Sequence, residues 1–248
     1  MSVNKVATAG FTEGAGAYER ARPGYPAEAV ATVVSAASLS ADSLVADVAA
    51  GTGKLTRLLL GDWRVLAVEP VAAMGAGLRA AVAGVPVVAG AAEALPLPDS
   101  SVDLVTVAQG FHWFDAPAAF AECTRVLRPG GVLALLFNER DGSVEWVRRF
   151  REVIVAHAGG VPYERGRDWA AEMAAAGFTA VTHERFDNLQ VVDRAAVVER
   201  AASTSFVGAL PPEPRQACLD EVAGLVAHLA EPFPFPHHTE VTIGRRAG

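Results

Sequence analysis

The chain has 248 residues and 25.8 kDa, with 51% hydrophobic and 20% charged side chains, an apolar content far above that of disordered chains. Its 21 basic and 28 acidic residues give a formal net charge of −7; with no Lys/Arg run to follow a phosphate backbone, no nucleic-acid partner is expected. The uncharged stretch 80–92 is too short for a membrane span and is broken by Gly84 and Pro86, so no membrane partner is expected either.

Residues 1–40 begin with glycines (Gly10, Gly14, Gly16) and turn Ala-rich and helical after Pro26. Lys5 has no apolar run behind it, so a signal peptide is not expected. From residue 45, short β-branched runs alternate with helical segments. Val45–Val48, Arg64–Val68, Pro86–Ala89, Val102–Ala108 and Val132–Phe137 read as strands, the last two as near-continuous apolar runs suited to burial on both faces of a parallel sheet. Leu55, Leu58 and Leu59 predict a short helix stopping near Gly61. Phe120, Cys123 and Leu127 predict another, with Arg125 and Arg128 in its last turn, where cations suit the helix dipole, before Pro129-Gly130-Gly131. This alternation argues a doubly wound α/β sheet.

Beyond Asn138 the rhythm changes. Trp146, Phe150, Val153, Ile154 and His157 share a helical face, and further helices are read at 169–176, 194–204 and 215–230. Residues 178–192 read as a strand, Pro232–Pro236 as a link and 239–245 as a final strand. Cys123 and Cys218 lack metal spacing, lie on apolar helical faces and predict free thiols in a reduced, cytoplasmic protein. The histidines offer no metal-ligand spacing, and His237 and His238 should face opposite ways if extended.

The segment Val45-Ala-Asp-Val-Ala-Ala-Gly-Thr-Gly-Lys-Leu-Thr56 reads as a strand, a turn of small residues and a helix start. Such turns let a ligand approach the backbone. A phosphate loop is ruled out by Val48 and Leu55, where a glycine and a hydroxyl are needed. Thr56 stands where a dinucleotide fingerprint has its third glycine. An acid at the strand end followed by alternating small residues fits a third ligand class, S-adenosylmethionine (SAM).

On these residues the chain resembles the class I SAM-dependent methyltransferases, in particular the ubiquinone/menaquinone-biosynthesis and trans-aconitate-type branch. Asp47-Val-Ala49-Ala50-Gly51-Thr52-Gly53 matches the family's Asp-x-Gly-x-Gly-x-Gly, with Ala49 replacing the first glycine. Glu69-Pro70 closes the second strand, where the family holds the ribose hydroxyls, and Met74 follows at the adenine-facing position. Residues 89–103 match the third block, with Ala91, Ala92 and Glu93 at the adenine end; Ala91 replaces an aspartate of many relatives. Gln109-Gly-Phe-His-Trp-Phe-Asp115 resembles the His-Trp signature of the trans-aconitate-type branch. Arg125–Gly131, Tyr18–Pro26 and Thr239–Arg246 extend the likeness over most of the chain.

The resemblance implies an α/β, Rossmann-like, seven-stranded, mostly parallel sheet with an N-terminal helical lid and a C-terminal helical cap. It implies one methyltransferase domain: lid segment 1–40, SAM-binding core 41–141, substrate cap 142–238 with strand six, and final strand 239–248. Asp47, Glu69, Ala91 and Gln109 fall at strand ends, where such sheets bind ligands. Thr52 and Gly53 complete the donor turn, and Tyr18 and Arg22 reach it from the lid, Arg22 as partner of the donor carboxylate. Tyr25, Phe111, His112, Trp113 and Trp146 are candidates for the acceptor pocket, and His112 for general base. The implied reaction is methyl transfer from SAM to a small-molecule acceptor, with S-adenosylhomocysteine as product and no metal, in a monomer or homodimer. The residues leave open O-, N- or C-methylation, a packing role for His112, and a non-methylating reaction such as a cyclisation. An NAD-dependent dehydrogenase is opposed by Thr56 and every later motif. Nothing in the net charge or the Ala/Val-rich cap announces an anion pocket.

Overall fold

A computed structural model describes residues 22–157 and 167–248. The predicted Ala-rich helix is α1 (Ala27–Ala37), and the strand–helix alternation follows: β1 (Leu44–Val48), β2 (Arg64–Val68), α2 (Ala72–Ala81), β3 (Val87–Val88), β4 (Val102–Ala108), α3 (Ala116–Val126) and β5 (Leu127–Arg140). Then come α4 (Glu145–Ala156), α5 (Trp169–Ala175), β6 (Phe178–Val192), α6 (Arg194–Ala202), the single turn α7 (Ser205–Gly208), α8 (Pro212–Val226) and β7 (Phe233–Arg246). The seven strands form one sheet in the order β3-β2-β1-β4-β5-β7-β6. The β3-β2-β1-β4-β5 part is parallel. Cross-strand partners in β6 and β7 run in opposite senses (Thr179 with Arg245, His183 with Thr242), as antiparallel neighbours do.

The described residues fall into two compact units. The α/β unit comprises Gly24–Phe137, Gly166–Phe186 and Thr239–Gly248. Successive strand residues there serve opposite faces. Ala46, Val105, Leu133 and Leu135 pack with Phe120 and Cys123 of α3, whereas Val45, Leu104, Val132, Ala134 and Leu136 pack with Ala29, Val30 and Val33 of α1. That two-sided burial is why these strands read as unbroken apolar runs. Cys123 is buried and burial pushes its thiol up to about 12, so it behaves as a small hydrophobe. The helical unit draws its described residues from Met1–Pro23, Asn138–Arg165 and Asp187–His238. Its core joins Val147, Phe150 and Ile154 of α4 to Val197, Cys218, Val222, Phe233 and Phe235. Among the described residues, no helix is long and apolar enough to cross a membrane and no His/Cys/Asp/Glu group could hold a metal.

Three local expectations are corrected. The helix predicted around Leu55–Leu59 is a three-residue 3-10 turn (Thr56–Leu58), and Leu58 is exposed rather than core; its apolar face is too short to support a longer helix. The helix before Pro129 stops at Val126, because Leu127 already pairs with Val102 on β4. Arg128 then lies beyond the helix, where it binds Asp103 through both carboxylate oxygens at 2.7 and 2.9 Å. The Pro-rich link is the first part of β7. Phe233, Phe235 and His237 point inward at alternate positions, leaving the prolines in between; the Pro236 carbonyl accepts from Asp141 N at 3.0 Å.

Arg125 lies in the last turn of α3, as expected, and also acts as a pin. Its guanidinium donates to Glu122, Asp99 and the Leu95 and Leu97 carbonyls, fastening the 95–99 loop to α3. Asp103 additionally accepts from Leu44 N at 2.7 Å, so one carboxylate ties β4, β1 and the start of β5. Replacing Asp103 with Ala leaves that amide and Arg128 without this acceptor, and urea unfolding should show a loss of about 1–3 kcal/mol; Asp103→Asn should cost less.

Candidate active site

The carboxyl ends of β3, β2, β1 and β4 lie side by side, and the candidate residues follow from that register. Asp47 on β1 sits opposite Thr106 on β4. Its two oxygens accept from the hydroxyls of Thr56, at 2.6 Å, and Thr106, at 2.9 Å. Asp47 is 1% exposed, so it acts by shaping the turn rather than by meeting a ligand. Burial pushes its carboxyl up to about 6, against the lowering effect of the two hydroxyls.

After Val48 the backbone enters the left-handed region at Ala49 (φ 54°), Gly51 (φ 58°) and Gly53 (φ 87°). The two glycines serve different ends. A Cβ on Gly51 would meet nothing within 4 Å, so the turn borders open space there; one on Gly53 would lie 3.0 Å from Leu78 and Val82 side-chain atoms, so Gly53 permits packing on α2. Ala49, in place of a glycine, holds a conformation that costs an L residue about 1–2 kcal/mol. Gln109, after β4, is also left-handed (φ 59°), with its amide donating to the Leu136 carbonyl at 2.9 Å. Strain in two neighbouring strand-end turns is the kind that collects at functional sites. They touch: a Cβ on Gly110 would come within 3.0 Å of Ala49 Cβ. The Gln109 Nε2 is buried with no hydrogen-bond partner among the described residues.

Glu69 closes β2, 7% exposed. Its Oε2 accepts from Gly51 N and its Oε1 from Val71 N, both at 2.8 Å. Burial raises its pKa, while these two amides pull it down. A carboxylate oxygen has two lone-pair sites, so each keeps capacity for one further donor. Pro70 is exposed, Met74 is buried on α2, and Ala92 is buried beside the Ala91–Ala94 bridge. The Glu93 Oε1 accepts from Asp115 N at 3.0 Å, fastening the 91–94 turn to the start of α3.

The 3-10 turn Phe111–Trp113 presents half-buried His112 and Trp113, with the His112 ring 4.8 Å from Trp113 and 6.0 Å from Phe137. Phe111 is not a pocket residue. It is 0% exposed and held among Phe114, Phe120 and Trp169 at 4.7–5.7 Å, where it supports the loop from beneath. Tyr25 packs on the α1 core of the α/β unit. Trp146 packs on Phe233 and Phe235 in the helical unit. Arg22, read as the donor carboxylate's partner, belongs to the helical unit and donates to the Ser203 carbonyl at 3.2 Å. Tyr18 lies outside the described residues. Thr106 and Gly110 were not singled out by the sequence, and Thr56 only as the residue that breaks the dinucleotide fingerprint. Only the need for a partner to the strand-end acid, and the close approach that a glycine permits, could have pointed to these roles.

Comparison with known proteins gives the family and the fold. Residues 46–135 match the methyltransferase-domain family. An uncharacterised methyltransferase of Mycobacterium tuberculosis is 40% identical over 218 residues, covering 88% of this chain and 85% of that one. The structure of a type II methyltransferase from Anaeromyxobacter dehalogenans superposes with a TM-score of 0.65 at 25% identity, covering 91% of this chain and 97% of that one. The phosphoethanolamine N-methyltransferase 2 of Haemonchus contortus, solved with S-adenosylhomocysteine, shares the fold (TM-score 0.59, 15% identity, 95% of this chain and 57% of that one). The fold and site define a methyl-transferring enzyme with a Rossmann-like sheet. The chain belongs to the class I SAM-dependent methyltransferases.

The raised Asp47 pKa makes a testable contribution to stability. The folded state holds the proton more tightly than the unfolded chain, so this contribution is complete below about pH 3.8 and is lost as pH rises to about 6. Asp47→Asn cannot ionise. Urea unfolding of both proteins should show the variant gaining on wild type by roughly 3 kcal/mol between pH 4 and pH 7.

Proposed function

We propose that the chain transfers a methyl group from SAM to a small-molecule acceptor, with the donor held by the turn 49–53, Glu69 and Gln109. The carrying observation is Glu69: a buried carboxylate bonded to two backbone amides, with acceptor capacity left on each oxygen, beside the open space at Gly51. That pair of acceptor oxygens suits the two donating hydroxyls of a vicinal diol. The orphaned Gln109 Nε2 offers a donor to an acceptor atom of the nucleoside, and buried Met74 an apolar surface for the base. SAM supplies an electrophilic methyl group on a sulfonium.

The residues around it bind, orient and exclude water. In-line placement of two reactants contributes roughly 7–11 kcal/mol of barrier lowering, so little side-chain chemistry is required. His112, on the turn after β4, is the proposed base for a hydroxyl or amine acceptor, flanked by Trp113 and Phe137. A neutral imidazole nitrogen can accept the proton that such an acceptor gives up. Phe111, by fixing the turn from below, is a positioning residue for His112.

Glu69→Ala should weaken S-adenosylhomocysteine binding by about 1.5–3 kcal/mol in calorimetry, the worth of hydrogen bonds to a charged group. Because Glu69 also holds Gly51 and Val71, the same change should lower stability to urea. Unchanged affinity in the folded variant would move the ribose elsewhere.

His112→Gln should leave S-adenosylhomocysteine affinity unchanged and lower turnover by at most about 10²–10⁴-fold. The wild-type rate should depend on pH through this base, and the variant should lose that dependence. A variant that keeps both rate and profile would make His112 a packing residue.

A further inference from the structure

Trp169, the first residue of α5, packs on two aromatic neighbours of His112, all within the α/β unit. Its half-buried ring stacks on that of Phe137, with centroids 5.5 Å apart and planes 3° from parallel. It meets Phe111 edge-on, at 5.3 Å and 84°. Offset stacking and edge-to-face contact are the arrangements that aromatic pairs favour, and this one indole makes both. Phe137 lies in turn 6.0 Å from the His112 ring, and Phe111 directly precedes His112 in the 3-10 turn. Trp169 therefore reaches His112 by two routes, through the ring beside it and through the residue before it.

The indole has little freedom of its own. Asp168 caps α5 by accepting from Ala171 N at 3.0 Å, which fixes the turn that carries Trp169. The Arg167 guanidinium lies over the Trp169 ring, 4.3 Å from its centroid. Glu172, one turn along, accepts from Arg167 Nε at 2.8 Å and from Arg167 Nη2. Met173 is 0% exposed and packs so closely on β7 that a Cβ on Gly244 would lie 2.5 Å from its Sδ. The helix is thus seated on the sheet, and the indole is seated with it. We propose that Trp169 is a positioning residue for His112, acting through Phe137 and Phe111. This role rests on the reading of His112 as the base. A base works only while it is held at the productive angle, and a misplacement of about 1 Å can cost about 10²-fold in rate.

The test reads the His112 imidazole by NMR in the full chain, its signals assigned by their loss in His112→Gln. Trp169→Leu keeps an apolar side chain without a ring, and Trp169→Phe keeps a ring that can stack. The His112 signals should shift and broaden in Trp169→Leu and return most of the way in Trp169→Phe. Signals unmoved in Trp169→Leu, or displaced equally in both variants, would make Trp169 a packing residue and overturn the role. If Trp169→Leu fails to fold, nuclear Overhauser contacts in the wild type decide. Phe137 ring protons should contact those of both Trp169 and His112, and the absence of either contact overturns the role. S-adenosylhomocysteine is titrated in parallel by calorimetry. Its affinity should stay within about tenfold of wild type in both variants, and a larger loss in Trp169→Leu would place the indole at the donor and overturn the role. If wild type itself fails to bind S-adenosylhomocysteine while the His112 signals follow the ring at 169, the methyltransferase reading falls and the ring contacts behind His112 stand.

Discussion

One carboxylate holds two backbone amides that the sequence places on different sides of β2: Glu69 accepts from Gly51 in the turn after β1 and from Val71 at the entrance to α2. The turn it holds runs through left-handed conformations at Ala49, Gly51 and Gly53, which a free backbone would not keep. The parallel register of β1 between β2 and β4 brings Glu69, that turn and Gln109 to one edge of the sheet. Removing the brace would free the turn and, with it, the open space at Gly51. Local rigidity and, in the proposed function, donor binding therefore depend on the same oxygen atoms.

The two strand-end acids divide the work by exposure. Asp47 is sealed by threonine hydroxyls on both oxygens and sets the turn from below. Glu69 keeps acceptor capacity toward the crevice. Both are pushed toward the neutral form by burial, a stability cost that a site tolerates when the shape it fixes is needed. Ala49 adds backbone strain in the same turn, and Gln109 in the next.

Much of this was legible because it is local. The runs at 102–108 and 132–137 announce strands buried on two faces, and the Asp47-to-Gly53 spacing announces the small-residue turn that Glu69, one strand later, braces. The errors have physical causes. Leu55–Leu59 carries helical spacing but too few residues to support a helix, and Pro234 and Pro236 fit a strand because the buried positions fall on Phe233, Phe235 and His237. Phe111 sits in a motif yet faces the core, a matter of side-chain direction that a motif does not encode.

The most direct measurement is a crystal structure of the chain with S-adenosylhomocysteine. The account predicts both ribose hydroxyl oxygens within about 3.2 Å of the Glu69 carboxylate oxygens, with Gly51 and Val71 still donating to them. A nucleoside seated elsewhere, with Glu69 bonded to those two amides alone, would contradict it.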